Sequence, residues 1–122
     1  MSRRYLSIKE VYGALNRGKI IEAFLGSFEN DNKKCIRWIT IKKVNNEIVG
    51  NIWESYDEGS SEYLDIYSFS PVNGEWDTPS NTISCNNIEN LINIFSNFKF
   101  NFVNAGVIQD EYASFKTHNK AN

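Results

Sequence analysis

The amino-acid sequence predicts an α+β fold: a mainly antiparallel sheet of five to six strands, with an N-terminal helix and a second helix near residues 87–97 packed on one face. Three observations carry this. Two stretches of helical periodicity flank a central block of β-rich segments. Those segments are joined by turns too short for a parallel crossover. At 122 residues the chain fits a single domain, 1–122, able to bury roughly two thirds of its unfolded surface without metals or disulfides. The ends, 1–5 and 117–122, carry no pattern and are expected to fray.

The first helix is "LSIKEVYGALNRG". Ser7 is an N-cap with Glu10 in capping-box position, Ile8, Val11, Tyr12 and Leu15 follow helical spacing, and Gly18 stops it. "KIIEAFLGSF" is rich in β-branched and aromatic residues and ends at the turn "ENDNKK". "CIRWITIKKV" and "EIVGNIWESY" are strands joined by Asn45-Asn46, a hairpin signal because Asn tolerates positive φ. After the turn "DEGSS", "EYLDIYSFS" alternates and reads as a further strand. "PVNGEWDTPSN" holds both prolines and a glycine and is a loop, and "TISC" is a short strand at most.

The second helix is "NNIENLINIFSN", capped by Asn86, with Ile88, Leu91, Ile92 and Phe95 on one stripe. "FKFNFVN" alternates Phe98, Phe100 and Phe102 on one face as a strand. "EYASFK" is a last strand, although Ile108, Tyr112 and Phe115 also fit a short helix, which leaves 107–116 open between the two.

Enzyme and cofactor chemistry finds no footing. The single histidine, His118, lies in the expected tail, and no phosphate loop, dinucleotide fingerprint, zinc motif or calcium loop occurs. No catalytic residue, cofactor or metal ligand is assigned, and no apolar run reaches membrane-spanning length. Cys35 and Cys85 read as free, buried thiols in a reducing, cytoplasmic setting, since no secretion signal precedes them. Trp38, Trp53, Tyr63 and Tyr67, if exposed on strands, would suit RNA bases, but core packing explains most strand aromatics and a net charge of −2 argues against a phosphate backbone.

Charge order is the informative feature. Ten bases and four acids in residues 1–43 give +6; three bases and eleven acids in 44–122 give −8. No Lys or Arg stands between Lys43 and Lys99. Lys42 and Lys43 are placed to pair across the hairpin with Glu47, which still leaves "ESYDEG" and "SSEYLD" without counter-charge. Residues 54–65 are therefore expected to end a hairpin with exposed acids, on one negative surface with Glu75 or Asp77. Acids interleaved with aromatics suit an interface, the aromatics as anchors and the acids for steering. The candidate partner-binding residues are Trp53, Glu54, Tyr56, Asp57, Glu58, Glu62, Tyr63, Asp65, Glu75, Trp76 and Asp77.

The function expected is a small non-enzymatic protein-binding domain, in its sharpest form an inhibitor or immunity-type protein meeting a basic partner. The alternative is a small-molecule-binding or enzymatic domain with a pocket between sheet and helices. Homo-oligomerisation stays open.

Overall fold

A computed structural model describes residues 5–60 and 62–120, with 118–120 as backbone alone. The expected fraying at 1–4 and 121–122 lies outside the described residues, as does Ser61. In chain order the elements are α1 (Ile8–Asn16), β1 (Ile21–Asn30), β2 (Lys33–Val44), β3 (Glu47–Tyr56), a 3-10 turn (Ile66–Ser68), β4 (Asn81–Cys85), α2 (Ile88–Ile94), β5 (Phe102–Asn104) and α3 (Ile108–Lys120). The five strands form one antiparallel sheet in the order β4-β3-β2-β1-β5. The α+β class read from the sequence is the class observed.

Local chemistry explains the best-formed pieces. The Ser7 hydroxyl accepts the Glu10 N–H at 3.2 Å and the Glu10 carboxylate accepts the Ser7 N–H at 2.8 Å, so the capping box closes. Both long hairpins turn through two residues at positive φ, Asp31-Asn32 at 52° and 66° and Asn45-Asn46 at 51° and 68°. In β1 the pairing to β2 slips between Phe24 and Gly26; Gly26 takes φ 97°, which its missing Cβ permits in a bulge.

The sheet separates two cores. On one face Ile21, Ala23, Ile39, Ile41 and Ile48 pack with Val11, Ala14 and Leu15 of α1 and with Ile88 and Leu91 of α2. Leu91 approaches β3 so closely that a Cβ on Gly50 would stand 3.2 Å from its Cδ1 and 2.8 Å from Ile39 Cδ1. Phe95 is buried in this core, and Ile92, Phe98 and Phe100 pack against it beside the buried Phe102. On the opposite face Phe24, Ile36, Trp38 and Val103 meet Ile108 and Tyr112 of α3 and Ile66 and Phe69 of the 3-10 segment.

Several expectations are corrected. Residues 62–69 are not a strand, because Ile66 and Phe69, three apart, are both buried, a spacing that a 3-10 turn satisfies and an alternating strand does not. Residues 107–116 belong to a helix: Ile108 and Tyr112 are buried four apart, and Phe115 packs one turn on. The helical backbone continues through 117–120, part of the expected tail. Of "FKFNFVN" only Phe102–Asn104 pairs in the sheet. Asn87, not Asn86, caps α2, accepting the Asn90 N–H at 2.9 Å. Glu47 faces Val44 across the hairpin, and Lys43 donates to Asn16 Oδ1 at 2.9 Å instead of pairing with Glu47.

The two cysteines are free and buried. Cys35 lies opposite Tyr56 and Cys85 opposite Ile48, eight residues apart along β3. That is roughly 26 Å at strand rise, far beyond disulfide reach.

Candidate binding site

The edge of β3 builds the site. Residues 81–85 of β4 pair with its first half, up to Ile52. The other half is taken by the returning chain: Tyr56 N–H donates to Ser70 at 2.9 Å and Val72 N–H donates to Glu54 at 3.0 Å. Between these attachments, with Ser80 N–H donating to Ile52 at 2.8 Å, residues 73–79 arch away from the sheet. The arch is braced from within, since Asn73 Nδ2 donates to the Thr78 carbonyl at 2.8 Å and Asn73 Oδ1 accepts the Glu75 N–H at 2.9 Å. Its apex carries Trp76, 58% exposed.

Beneath the arch is a cleft of about 260 Å³. Trp38 and Trp53 are direct cross-strand partners, so their indoles share the face beneath it. Trp38 is buried at the floor and meets Tyr67 edge to face, centroids 6.2 Å apart. Trp53 is half-buried, and its indole N–H donates to Thr40 Oγ1 at 2.9 Å, which fixes the ring. Trp76 completes the wall. All three tryptophans of the chain thus line one cleft. Among the described residues, no Lys or Arg lines it.

One wall rests on a buried carboxylate. Glu22, 3% exposed, accepts the Tyr67 hydroxyl at 2.7 and 2.9 Å on its two oxygens and the Gly106 N–H at 2.9 Å. Burial raises the Glu22 pKa against the lowering effect of those bonds. Burial, and then the bond to Glu22, raises that of Tyr67. Glu22 therefore clamps the 3-10 segment to the β5–α3 turn and sets the position of Tyr67.

The candidate residues divide. Trp53 and Trp76 meet in the cleft, with Glu75 and Asp77 exposed on either side of Trp76. Glu54 is among the lining residues, but strand alternation turns its side chain to the opposite sheet face, where its carboxylate accepts Arg37 Nε at 2.7 Å. Tyr56 lies on that same far face, under Lys33 at 5.4 Å. Glu58 and Glu62 are exposed, Glu58 accepting the Ser70 N–H at 2.8 Å. Tyr63 packs on Phe69 and bonds Ser68, while Asp65 accepts from Gln109 at 3.4 Å.

Asp57 overturns the exposed hairpin end. Its side chain is 5% exposed, pairs with Lys116 at 3.0 Å and accepts the Tyr112 hydroxyl. Burial first, and then that bond to Asp57, raises the Tyr112 pKa. The counter-charge missing from the local sequence arrives from α3, some sixty positions on, and Arg37 supplies Glu54. The acids that keep an outward position are those of 58, 62, 65, 75 and 77.

Trp38, Tyr67 and Glu22 are not among the candidate partner-binding residues, although Trp38 and Tyr67 are two of the aromatics weighed for base stacking. Glu22 carried a readable signal, a lone acid inside the apolar run "IIEAFL". Among the described residues no group of three or more His, Cys, Asp or Glu is placed to hold a metal, and no helix is long and apolar enough to cross a membrane. Comparison with protein-family models, curated proteins and solved structures gives no significant match.

Proposed function

We propose that this protein is a non-enzymatic binding domain that meets a partner protein of basic surface through the tryptophan cleft and its acidic arch. The observation that carries it is the convergence of all three tryptophans on one cleft, with Trp76 58% exposed between two acids. An exposed indole beside a shaped apolar hollow is the makeup of an interface anchor, and flanking acids steer a basic partner. The sharpest form is an inhibitor of the immunity type, which covers a basic target such as a nuclease. Two free, buried thiols suit a cytoplasmic setting.

Selection of a random-peptide display library on the immobilised protein tests this. Enrichment of Lys- and Arg-bearing peptides, lost when Trp76→Ala is the bait, is the expected result. Enrichment of acidic or purely apolar peptides, or of none, overturns it.

The cleft itself favours a second reading, a small-molecule-binding domain. Its volume is about 260 Å³, just under the roughly 300–1,000 Å³ usual for such sites. The hollow lies between sheet and arch, not between sheet and helices, and suits a head group or one side chain better than a larger ligand.

A further inference from the structure

The chemistry of the cleft narrows what it holds. Several of its polar groups are spent on the protein. Thr40 Oγ1 accepts the Trp53 indole N–H, and the Asn73 side chain braces the arch at both its nitrogen and its oxygen. The hydroxyls of Ser55, Thr78 and Ser80 are its remaining polar groups, and none of them carries a charge. Aromatic surface dominates: Trp53, Trp76 and Tyr67 present it, over the buried Trp38 and Phe69. Aromatic faces carry negative quadrupole density, and tryptophan attracts cations best.

Charge agrees with the rings. The whole interval 44–98 is without a base, and among the described residues no Lys or Arg lines the cleft. Glu75 and Asp77, the chain neighbours of Trp76, are exposed. A cation entering here would meet aromatic side chains, with the acids beside Trp76 adding negative charge, and among the described residues no cation lines the cleft to compete for the rings.

Deepening the proposed function and resting on it, we propose that the cleft is an aromatic cage for a single alkylammonium group, such as a lysine or N-methylated lysine side chain of the partner. Trp76 closes over the group, Trp38 and Trp53 form floor and wall, and Glu22 acts as a positioning residue through Tyr67. The charged head is recognised by ring faces and the acids beside Trp76, and the alkyl stem lies along the apolar wall.

Because no tryptophan lies elsewhere, intrinsic fluorescence and the three indole N–H resonances report on the cleft alone. The probes are choline and its neutral carbon isostere dimethylbutanol, with potassium chloride as the ionic-strength control. The expected result is saturable movement of the indole signals by choline, with the isostere at least roughly fivefold weaker, as a cation–π attraction requires. Trp76→Ala should abolish the choline response while leaving the melting temperature in place, and Glu75→Gln with Asp77→Asn should weaken it. Equal binding of choline and isostere overturns the cage, and so does a choline response no larger than that to potassium chloride. Peptide selection reports separately: Lys- and Arg-bearing peptides enriched without any choline response leave the basic partner standing and remove only the cage.

Discussion

The two faces of the sheet are finished in different ways. One is sealed by α1 and α2, whose apolar stripes meet a row of isoleucines and leave Leu91 and Val11 with no exposure. The other is sealed only towards β1 and β5, by α3 and the 3-10 segment. Towards β3 it is roofed by an arch of irregular chain that stands off the strand. Regular helices pack to the density of a core, and a braced loop need not. The face closed by helices is therefore where stability resides, and the face closed by a loop is where a hollow with aromatic walls survives.

Truncation inside the sealed face should have the largest effect. Leu91→Ala should cost about 2–5 kcal/mol, since the side chain is fully buried against Gly50 and Ile39. Denaturant unfolding measures it, and a cost below about 1 kcal/mol would mean that this face is no better packed than the other.

Next comes the sealed end of the second face. A Cβ on Gly59 would overlap the Tyr112 hydroxyl and lie 2.7 Å from its Cζ, and Tyr112 has no exposure and little room to yield. Gly59→Ala should cost about 1–3 kcal/mol by overpacking, seen as a lower unfolding midpoint. An unchanged midpoint would show that α3 is loosely seated, and would blur the contrast between the faces.

Glu22 gives a smaller, pH-dependent effect. Its folded pKa is raised above the ordinary 4.5, chiefly by burial. Protonation is thus favoured in the fold: the stability linked to it is present below 4.5 and lost as pH rises through the raised value. Glu22→Gln keeps an acceptor for Tyr67 and removes the titration. Its melting temperature should gain on that of the natural protein as pH climbs from 4.5 towards neutrality. A difference that stays flat with pH would show that the Glu22 site is better solvated than its burial implies.

The smallest stability change belongs to the cleft. Trp76→Ala should move stability by no more than about 0.5 kcal/mol, the usual range for an exposed position, while removing a wall of the hollow. A large loss would place Trp76 in the core and erase the distinction between a packed face and an open one.

The fold was largely legible where its causes are local. The Ser7–Glu10 box, the Asn45-Asn46 turn and the Ile88–Leu91–Phe95 stripe depend on residues close together in the chain, and each formed. The site was legible in part. Trp53 and Trp76 stood out as aromatics among acids, whereas Trp38 stands among bases and apolar residues, and only its register opposite Trp53 brings it into the cleft. Asp57 misled because its counter-charge comes from distant Lys116.

By itself the chain determined the α+β class, the first two hairpins, two of the three helices and the base-free interval, because capping, turn conformation and side-chain periodicity act over a few residues. The strand order, the helical state of 108–120, the burial of Asp57 and the meeting of three tryptophans were decided by tertiary contact. Each joins residues far apart in the chain. Alternation in 62–69 and helical spacing in 108–115 were both present in the sequence, but which segments became buried depended on what packed against them, and burial selected the backbone conformation.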